Sequence, residues 1–338
     1  MPQTIHYNDE NIPDGTPTYL FDHADTYAEN ARTAGLDWFL EAALGVSIGY
    51  GLFSLVGHPE ETRTSATWKP GEYQALKEKF TCSRFDSCEI VEMAIAAGAR
   101  YLVFPARLRD GFCLFNTKLT DFSSVHSPAR RDLVCELASL CEYHGLGLIL
   151  RYNCGHDENF IPQKPTAEDW ERFEDFIAGQ LRELLTEYGP IAGLSLEGAD
   201  SPMRDKFQDF YDYIHFLQPQ ILVAFQQGCL GTEDFHSVHE KLPNENSSVE
   251  DKGFVLDHPD KPVEIRLNLT PSGRAFDAQA AGKHRKFAEL WEHLRTARQN
   301  QANLLLNTSL MPDGSLDLED LNTLLAIGER LEKQGYPR

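Results

Sequence analysis

The amino-acid sequence predicts an α/β protein: an irregular (β/α)8-like TIM barrel built from parallel strands in a single domain. Short runs rich in Leu, Val and Ile alternate with longer segments of helical periodicity along most of the 338 residues. This alternation is typical of βαβ units and a parallel sheet. No G-x-G-x-x-G follows the first strand-like run and no G-x-x-x-x-G-K-[ST] occurs, which disfavours an open nucleotide-binding sheet.

Seven apolar runs are predicted to be strands, one fewer than a complete barrel needs. They are Val46–Tyr50, Tyr101–Pro105, Gly147–Tyr152, Gly193–Glu197, Ile221–Phe225, Val263–Leu269 and Asn303–Asn307. Helices between them have clear start signals at Asp86, Ser127 and Thr166, each an N-cap residue type. The second of these helices is predicted to end at Gly145.

The whole chain, residues 1–338, is predicted to be one domain, with residues 1–30 as an N-terminal extension. Residues 228–262 are polar and rich in Pro, Gly and Asn, and they are predicted to form a long loop after a strand. In a barrel such a loop lies on the catalytic rim. His236 and His239 fall in this stretch and are therefore interpreted as solvated loop residues.

Composition excludes several classes of partner. The formal net charge is −21, which disfavours nucleic acid and anionic lipid, so a small neutral or cationic molecule is the better partner. The N-terminal residues do not resemble a secretory signal and no apolar run approaches the ~18 residues of a membrane span. We therefore expect a cytoplasmic protein. The seven cysteines are scattered without a CxxC pair, so neither a disulfide framework nor a zinc site is expected.

Chemistry in a parallel barrel occurs just beyond the carboxyl ends of the strands. Carboxylates at the ends of separate strands are what glycoside hydrolysis needs, one to attack the anomeric carbon or activate water and one to protonate the leaving oxygen. Glu197 is the best candidate because it ends an apolar strand and Gly198 leaves space beside it. A salt-bridged rim carboxylate without catalytic function is the alternative.

Five blocks of sequence resemble the α-L-fucosidases of glycoside hydrolase family 29, in order and in register from Trp38 to the C terminus. The blocks are GVSIGYGLFSLVG, AAGARYLVFPARLRDGFCLF, NTKLTDFSSVHSPARRDLVCELA, QLRELLTEYGPIAGLSLEGAD and NLLLNTSLMPDG. The resemblance implies a retaining exo-hydrolase on a distorted barrel that works without metal or other cofactor and binds a small carbohydrate or glycoside. We expect no counterpart of the family's C-terminal β-sandwich in this chain.

The resemblance places Glu197 at the position of the family's nucleophilic Asp. The family's sugar-binding histidines fall on Gly49, Leu108 and Arg109, so the chain resembles a divergent member. The family's acid/base lies in variable rim loops. Glu264 is its first candidate here, and Glu233, Asp234 and Glu240 remain open. The candidate substrate-binding residues are Tyr50, Trp68, Arg109, Asp110, Arg151, Tyr152 and Asp200.

Two functional hypotheses follow. The first is a glycoside hydrolase with altered sugar specificity, and the second is a catalytically silent barrel that binds a glycan or a protein. Arg109 and Arg151 are charges that the resemblance does not explain. They either receive an anionic sugar or pair with Glu197 and Asp110 and fill the space of the lost histidines.

Overall fold

Eight parallel strands form one sheet in the order β5-β4-β3-β2-β1-β8-β7-β6 in a computed structural model, which describes residues 15–57, 71–157, 159–226, 231–240, 260–271, 273 and 275–337. The sheet curls into a nearly closed barrel, so the predicted fold class is confirmed. The strands are β1 (Leu44–Gly49), β2 (Tyr101–Arg107), β3 (Gly147–Asn153), β4 (Gly193–Glu197), β5 (Leu222–Phe225), β6 (His236–His239), β7 (Val263–Asn268) and β8 (Asn303–Ser309).

Eight α-helices are present in the described residues, and most of them cover the outside of the barrel. They are α1 (Ala24–Glu29), α2 (Ala31–Ala42), α3 (Ser87–Ala96), α4 (Leu133–His144), α5 (Ala167–Glu187), α6 (Phe207–Leu217), α7 (Phe287–Gln299) and α8 (Leu318–Gln334). Every residue of β1, β2, β3, β4, β5 and β8 is buried. Burial on both faces explains why these strands appear in the sequence as continuous apolar runs.

Helix α2 closes the amino-terminal end of the barrel. Trp38 and Phe39 on this helix pack against Tyr101 and Leu305 inside the barrel. The side chain of Asn303 ties the helix to β8, because its amide donates to the Phe39 carbonyl at 2.6 Å and its oxygen accepts from the Ala43 amide at 2.9 Å. The end opposite α2 therefore carries the strand carboxyl ends, where the site is expected.

Asp234 closes the barrel between β5 and β6, which share no regular ladder. Its backbone N–H donates to the Val223 carbonyl at 2.8 Å, and its carboxylate accepts from the Val223 N–H at 2.8 Å. The same carboxylate accepts from Arg32 at 2.6 Å and from the Tyr211 hydroxyl at 2.8 Å. The Asp234 side chain thus takes the place of strand pairing between β5 and β6. Through Arg32 and Tyr211 it also connects helices α2 and α6 to this part of the barrel.

The sequence missed one strand. All seven predicted runs are strands, and the eighth, β6, lies inside the predicted long loop 228–262. It is only four residues long, two of them His, and it pairs with β7. His236 is consequently buried rather than solvated, which corrects the loop interpretation for this residue. Residues 228–230 and 241–259 of the predicted loop lie outside the described residues.

The helix signals are confirmed in part. Asp86 caps α3, and Thr166 forms a capping box with Asp169 at the start of α5. Gly145 ends α4 in the left-handed conformation, with φ of 67°. The start of α4 was placed too early, because the N-cap is Asp132 and not Ser127. Ser127 instead lies in the loop before α4, where its hydroxyl is 2.7 Å from the Ser124 carbonyl and 3.1 Å from the carbonyl of Phe80, which precedes α3.

Among the described helices, none has both the length and the apolar composition needed to span a lipid bilayer.

Candidate active site

Glu197 is the last residue of β4, and its side chain is buried at the carboxyl end of the barrel, where the whole residue is only 4% exposed. Its carboxylate Oε1 accepts from Nε of Arg151 at 2.9 Å and also from Nη2 of the same guanidinium. Arg151 lies on the neighbouring strand β3, paired in register with Ser195 of β4. The predicted pairing of Arg151 with Glu197 is therefore present, and the guanidinium provides the buried carboxylate with charged hydrogen bonds.

The loops that follow β3 and β4 touch through two glycines. A Cβ atom on Gly155 would lie 2.6 Å from Cα of Gly198, a distance that real contacts do not reach. The Cys154 N–H donates to the Glu197 carbonyl at 2.8 Å and joins the same two loops. Gly198 also has a positive φ of 97°, which an L side chain rarely adopts. The backbone around Glu197 is thus positioned by close glycine contacts.

Arg107, the last residue of β2, has a fully buried guanidinium that sequence reasoning did not assign to the site. It pairs with Asp157 and donates to the Asn153 carbonyl, both in the segment where β3 ends. The rings of Phe173 and Phe176 on α5 lie 5.6 and 5.4 Å from its guanidinium carbon. A sequence signal for this arrangement does exist. Two aromatic residues are spaced i, i+3 on α5, so they share one helix face, and an arginine at a strand end could have been expected to pack against them.

Asp110 and Leu108 lie on the loop after β2, as predicted. The Asp110 carboxylate accepts from the Tyr73 hydroxyl at 2.8 Å and from the Phe112 N–H at 3.1 Å. Leu108 is buried in a small apolar cluster with Phe53 and Ala275, which come from the loops after β1 and β7. An apolar contact across the rim therefore occupies a position where the resemblance led us to expect a histidine.

Tyr50 and Tyr152, two predicted substrate-binding residues, point away from the barrel mouth. The Tyr152 hydroxyl donates to Gln180 of α5 at 2.6 Å, so the side chain lies between β3 and the outer helix. Neighbouring residues on a strand face opposite sides, and Arg151 is the one that faces inward. The Tyr50 ring packs against Phe80 and Phe85 in the main hydrophobic core. Neither tyrosine is positioned to contact a sugar at Glu197.

Glu264, the first candidate for the acid/base, does not lie on the rim. It is the second residue of β7, and its carboxylate accepts from the hydroxyl of Tyr101, the first residue of β2, at 2.8 Å. Ser237 donates to its other oxygen at 2.5 Å. Burial, followed by the charge of Glu264, raises the pKa of the Tyr101 hydroxyl. Glu264 is thus part of a polar network in the amino-terminal half of the barrel.

The other candidates differ in position. Asp234 closes the barrel, and Glu233 beside it is buried. Glu240 directly follows β6 on the rim, where its Oε1 accepts from Nη2 of Arg285 at 3.0 Å.

Asp200 is exposed in the loop after β4. Arg109 is partly exposed and its buried Nε has no hydrogen-bond partner among the described residues. Trp68 lies outside the described residues.

A small internal cavity lies within the barrel below the rim, with a volume of about 10 Å³. It is lined by Ser47, Val103, Ile149, Arg151, Ser195, Gln226, Phe235, Glu264, Arg266, Leu305 and Asn307. A cavity of this size holds about one water-sized group. The barrel interior is therefore packed, and the cavity is too small for a ligand the size of a ring.

One group of side chains has the composition of a metal site. Single ligand atoms of His284, Asp317 and Asp320 lie within 4.8 Å of one another. Hydrogen bonds account for this proximity, since Asp320 contacts both His284 Nδ1 and the Thr308 hydroxyl. Asp317 caps α8 by accepting from the Glu319 and Asp320 N–H groups. We assign no metal to this group.

Comparison with known proteins agrees with this architecture. Residues 22–336 match the family described as α-L-fucosidase. The α-L-fucosidase 1 of Arabidopsis thaliana is 31% identical over 174 residues, a match that covers 49% of this chain and 33% of the plant protein. The similarity thus spans about a third of the length of that relative.

Solved structures show the same fold. The α-L-fucosidase isoenzyme 1 from Paenibacillus thiaminolyticus has a TM-score of 0.79 at 25% identity, over 90% of this chain and 77% of that one. The α-L-fucosidase AlfC from Lactobacillus casei, solved with its α-L-fucose product, has a TM-score of 0.74 at 23% identity, over 88% of this chain and 98% of that one. Because the family match runs through every strand and helix of the described barrel, the chain belongs to the α-L-fucosidase family.

Proposed function

We propose that this chain is a retaining glycoside hydrolase with Glu197 as nucleophile and with a sugar specificity different from L-fucose. The observation that carries the proposal is the buried carboxylate at the end of β4, which accepts from Arg151 Nε at 2.9 Å. In this mechanism Glu197 attacks the anomeric carbon and forms a glycosyl ester, while a rim acid protonates the departing oxygen. The deprotonated rim residue then takes a proton from the water that attacks the anomeric carbon, which breaks the ester bond, releases the sugar and restores the Glu197 carboxylate.

We propose Glu240 as the rim acid. Of the glutamates considered, Glu264 lies deep in the barrel, whereas Glu240 immediately follows β6 at the carboxyl end. Its Oε1 accepts from Nη2 of Arg285 at 3.0 Å, and this contact holds the side chain at the surface of the rim. Glu240→Gln is expected to slow the hydrolysis of glycosides with poor leaving groups, and to affect 4-nitrophenyl glycosides much less, because a good leaving group needs no proton.

The altered specificity rests on Leu108. Its side chain packs with Phe53 and Ala275, so it offers no hydrogen bond where the resemblance places an imidazole. A sugar hydroxyl buried against it without a partner would cost about 1–3 kcal/mol. Gly49, at the end of β1, likewise has no side chain that could form a hydrogen bond with a sugar hydroxyl. We therefore expect L-fucosides to be poor substrates.

An anionic sugar is less well supported than a neutral one. Two donors of the Arg151 guanidinium are already engaged by Glu197. A uronate or sulfate at this position would have to displace the Glu197 carboxylate from a buried ion pair. A neutral sugar ring that contacts Glu197 without breaking that pair fits the geometry better.

The second candidate function is a barrel that binds a glycan without hydrolysing it. The same ion pair favours it, because a guanidinium bound to the carboxylate lowers the nucleophilicity of its oxygen. Leu108 in place of a hydrogen-bonding residue supports this candidate as well. The two functions differ in whether any glycoside is turned over.

The discriminating experiment is a panel of 4-nitrophenyl α- and β-glycosides of neutral sugars, including the α-L-fucoside. We expect one non-fucoside to be hydrolysed faster than the fucoside, and Glu197→Gln to lower its kcat/KM by several orders of magnitude, because an amide cannot form the ester. Glu187→Gln on the exposed end of α5 is the matched control. Near wild-type hydrolysis by Glu197→Gln would exclude Glu197 as nucleophile, and no turnover of any glycoside would favour the binding barrel.

A further inference from the structure

Arg151 reaches the Glu197 carboxylate from inside the barrel. Its ladder partner on β4 is Ser195, which precedes Glu197 by two residues. Measured along the strands, the main chain of Arg151 therefore lies about 6–7 Å nearer the amino-terminal end than that of Glu197. Arg151 also lines the small interior cavity. The guanidinium thus contacts the carboxylate from the interior, whereas a glycoside would reach it from the rim.

Both hydrogen bonds from the guanidinium end on the same carboxylate oxygen. Nε of Arg151 donates to Oε1 of Glu197 at 2.9 Å, and Nη2 donates to the same atom. The two side chains are only 3% and 5% exposed. Hydrogen bonds between charged groups are stronger than neutral ones, and the low dielectric of a protein interior strengthens them further. Because an arginine keeps its charge, the strength of this contact depends on the charge of the Glu197 carboxylate.

The charge of Glu197 changes twice in the proposed reaction. In the first half-reaction a Glu197 oxygen bonds to the anomeric carbon, the bond to the leaving oxygen breaks, and the carboxylate becomes a neutral ester. If Oε2 forms this bond, Oε1 becomes the ester carbonyl and keeps its contacts with Arg151. In the second half-reaction water bonds to the anomeric carbon and gives its proton to the rim residue. The bond from that carbon to Glu197 then breaks, and the negative charge returns to the carboxylate.

We infer that Arg151 is a catalytic residue that speeds the hydrolysis of the glycosyl ester. Its hydrogen bonds strengthen as negative charge returns to Glu197, so they stabilise the transition state of the second half-reaction more than the ester. The same hydrogen bonds stabilise Glu197 before it attacks and therefore slow the first half-reaction. Formation of the ester is then rate-limiting, and little ester accumulates. This inference deepens the proposed function and rests on Glu197 as the nucleophile.

The test separates the two half-reactions by their kinetics. Release of 4-nitrophenol in the first turnover is followed with the 4-nitrophenyl glycoside that the wild type hydrolyses fastest. We expect no burst from the wild type, because its ester is hydrolysed faster than it forms. Arg151→Gln removes the charge and keeps an amide that can donate. We expect it to slow ester hydrolysis about 10- to 100-fold, the effect of losing hydrogen bonds between charged groups.

Such a loss has a kinetic signature that general damage to the barrel would not produce. Arg151→Gln should show a burst of about one 4-nitrophenol per enzyme, and both kcat and KM should fall. The ratio kcat/KM should change much less, because it reports the steps up to ester formation. Mass spectrometry during turnover should find a glycosyl group on the peptide that contains Glu197 in Arg151→Gln and not in the wild type.

Two further variants serve as controls. Arg151→Lys keeps the positive charge and should restore much of the kcat lost in Arg151→Gln, with a smaller burst. Arg107→Gln makes the same change at the end of the neighbouring strand β2, where the guanidinium pairs with Asp157 instead of Glu197. It should lower kcat and kcat/KM by the same factor and give no burst. If thermal unfolding shows that Arg151→Gln does not fold, the wild type and Arg151→Lys carry the test, and a burst from the wild type would overturn the inference.

Failure of this inference differs from failure of the proposed function. Hydrolysis that depends on Glu197, with equal losses of kcat and kcat/KM in Arg151→Gln and no burst, would overturn the role of Arg151 and leave the hydrolase in place. No turnover of any glycoside by the wild type would reject the hydrolase and the role of Arg151 together. A burst from Arg151→Gln, absent from the wild type and from Arg107→Gln, would support both.

Discussion

Arg151 and Glu197 lie side by side on neighbouring parallel strands, with Arg151 Nε 2.9 Å from Glu197 Oε1 and both side chains almost fully buried. The two residues face the barrel interior at the point where chemistry occurs in this fold. A buried carboxylate needs a compensating charge, and β3 provides it. The pair therefore contributes to the stability of the barrel and fixes the position of the candidate nucleophile.

The first prediction tests the contribution of this pair to stability. Arg151→Met should lower the free energy of unfolding by about 3–5 kcal/mol, because it leaves Glu197 buried without a counter-charge. The double variant Arg151→Met with Glu197→Gln should recover a large part of that loss. Denaturant titration of the four proteins in this double-mutant cycle measures the coupling. A coupling energy near zero would contradict the ion pair.

The second prediction concerns barrel closure at Asp234. Asp234→Asn should lower the free energy of unfolding by about 2–3 kcal/mol at neutral pH, because charged hydrogen bonds across the β5–β6 gap are weakened. Burial acts to raise the pKa of Asp234, but hydrogen bonding and charge from His215, the Val223 N–H and Arg32 outweigh it and hold the pKa below its usual value.

The sign of the pH dependence follows from that lowered pKa. A carboxyl group with a lower pKa in the folded state stabilises the protein above the unfolded pKa of about 3.9. This contribution disappears as the pH falls through the folded value. The difference in unfolding free energy between wild type and Asp234→Asn should therefore shrink as the pH falls below the unfolded pKa. A difference that grew on acidification would rule out this role.

The third prediction concerns the two glycines beside Glu197. Gly155→Ala should destabilise the protein and reduce any glycoside hydrolysis, because the new Cβ would lie 2.6 Å from the Gly198 backbone and force the two loops apart. Gly189→Ala is the control, since a Cβ there meets no atom within 4 Å and faces only the strain of a φ of 75°. Equal stability of the two variants would show that the loop contact is not tight.

The fourth prediction concerns Glu264. Glu264→Gln should leave kcat/KM for any hydrolysed 4-nitrophenyl glycoside nearly unchanged, because the residue lies in the amino-terminal half of the barrel with Tyr101 and Ser237. It should lower stability by about 1–2 kcal/mol, since the amide keeps only one acceptor oxygen for two donors. A loss of several orders of magnitude in kcat/KM would instead indicate that Glu264 acts as the acid/base.

Much of the fold could be predicted from the sequence because strands buried on both faces appear as continuous apolar runs. Seven of the eight strands follow from this pattern, and the position of Glu197 at the end of β4 follows with them. β6 does not, because it is short and polar and depends on backbone pairing with β7. Local sequence carries no signal for a strand that is stabilised mainly by its neighbour.

Side-chain direction was harder to predict than strand position. Arg151 and Tyr152 are adjacent, so only one faces the barrel interior, and the sequence does not reveal which. Glu264 was placed on the rim because its strand follows a long polar stretch, yet it is the second residue of β7 and therefore lies deep. The Asn268–Asn307 contact joins two strand ends 39 residues apart, which no local pattern indicates.

In the proposed mechanism Glu197 forms a covalent glycosyl ester. The most direct measurement is intact-protein and peptide mass spectrometry after incubation with 2-deoxy-2-fluoro glycosyl fluorides of neutral sugars, which form the ester readily and hydrolyse it slowly. We expect a mass increase of one fluoroglycosyl group, located on the peptide that contains Glu197 and absent from Glu197→Gln. An adduct on a different carboxylate, or none with a sugar whose 4-nitrophenyl glycoside the protein hydrolyses, would contradict it.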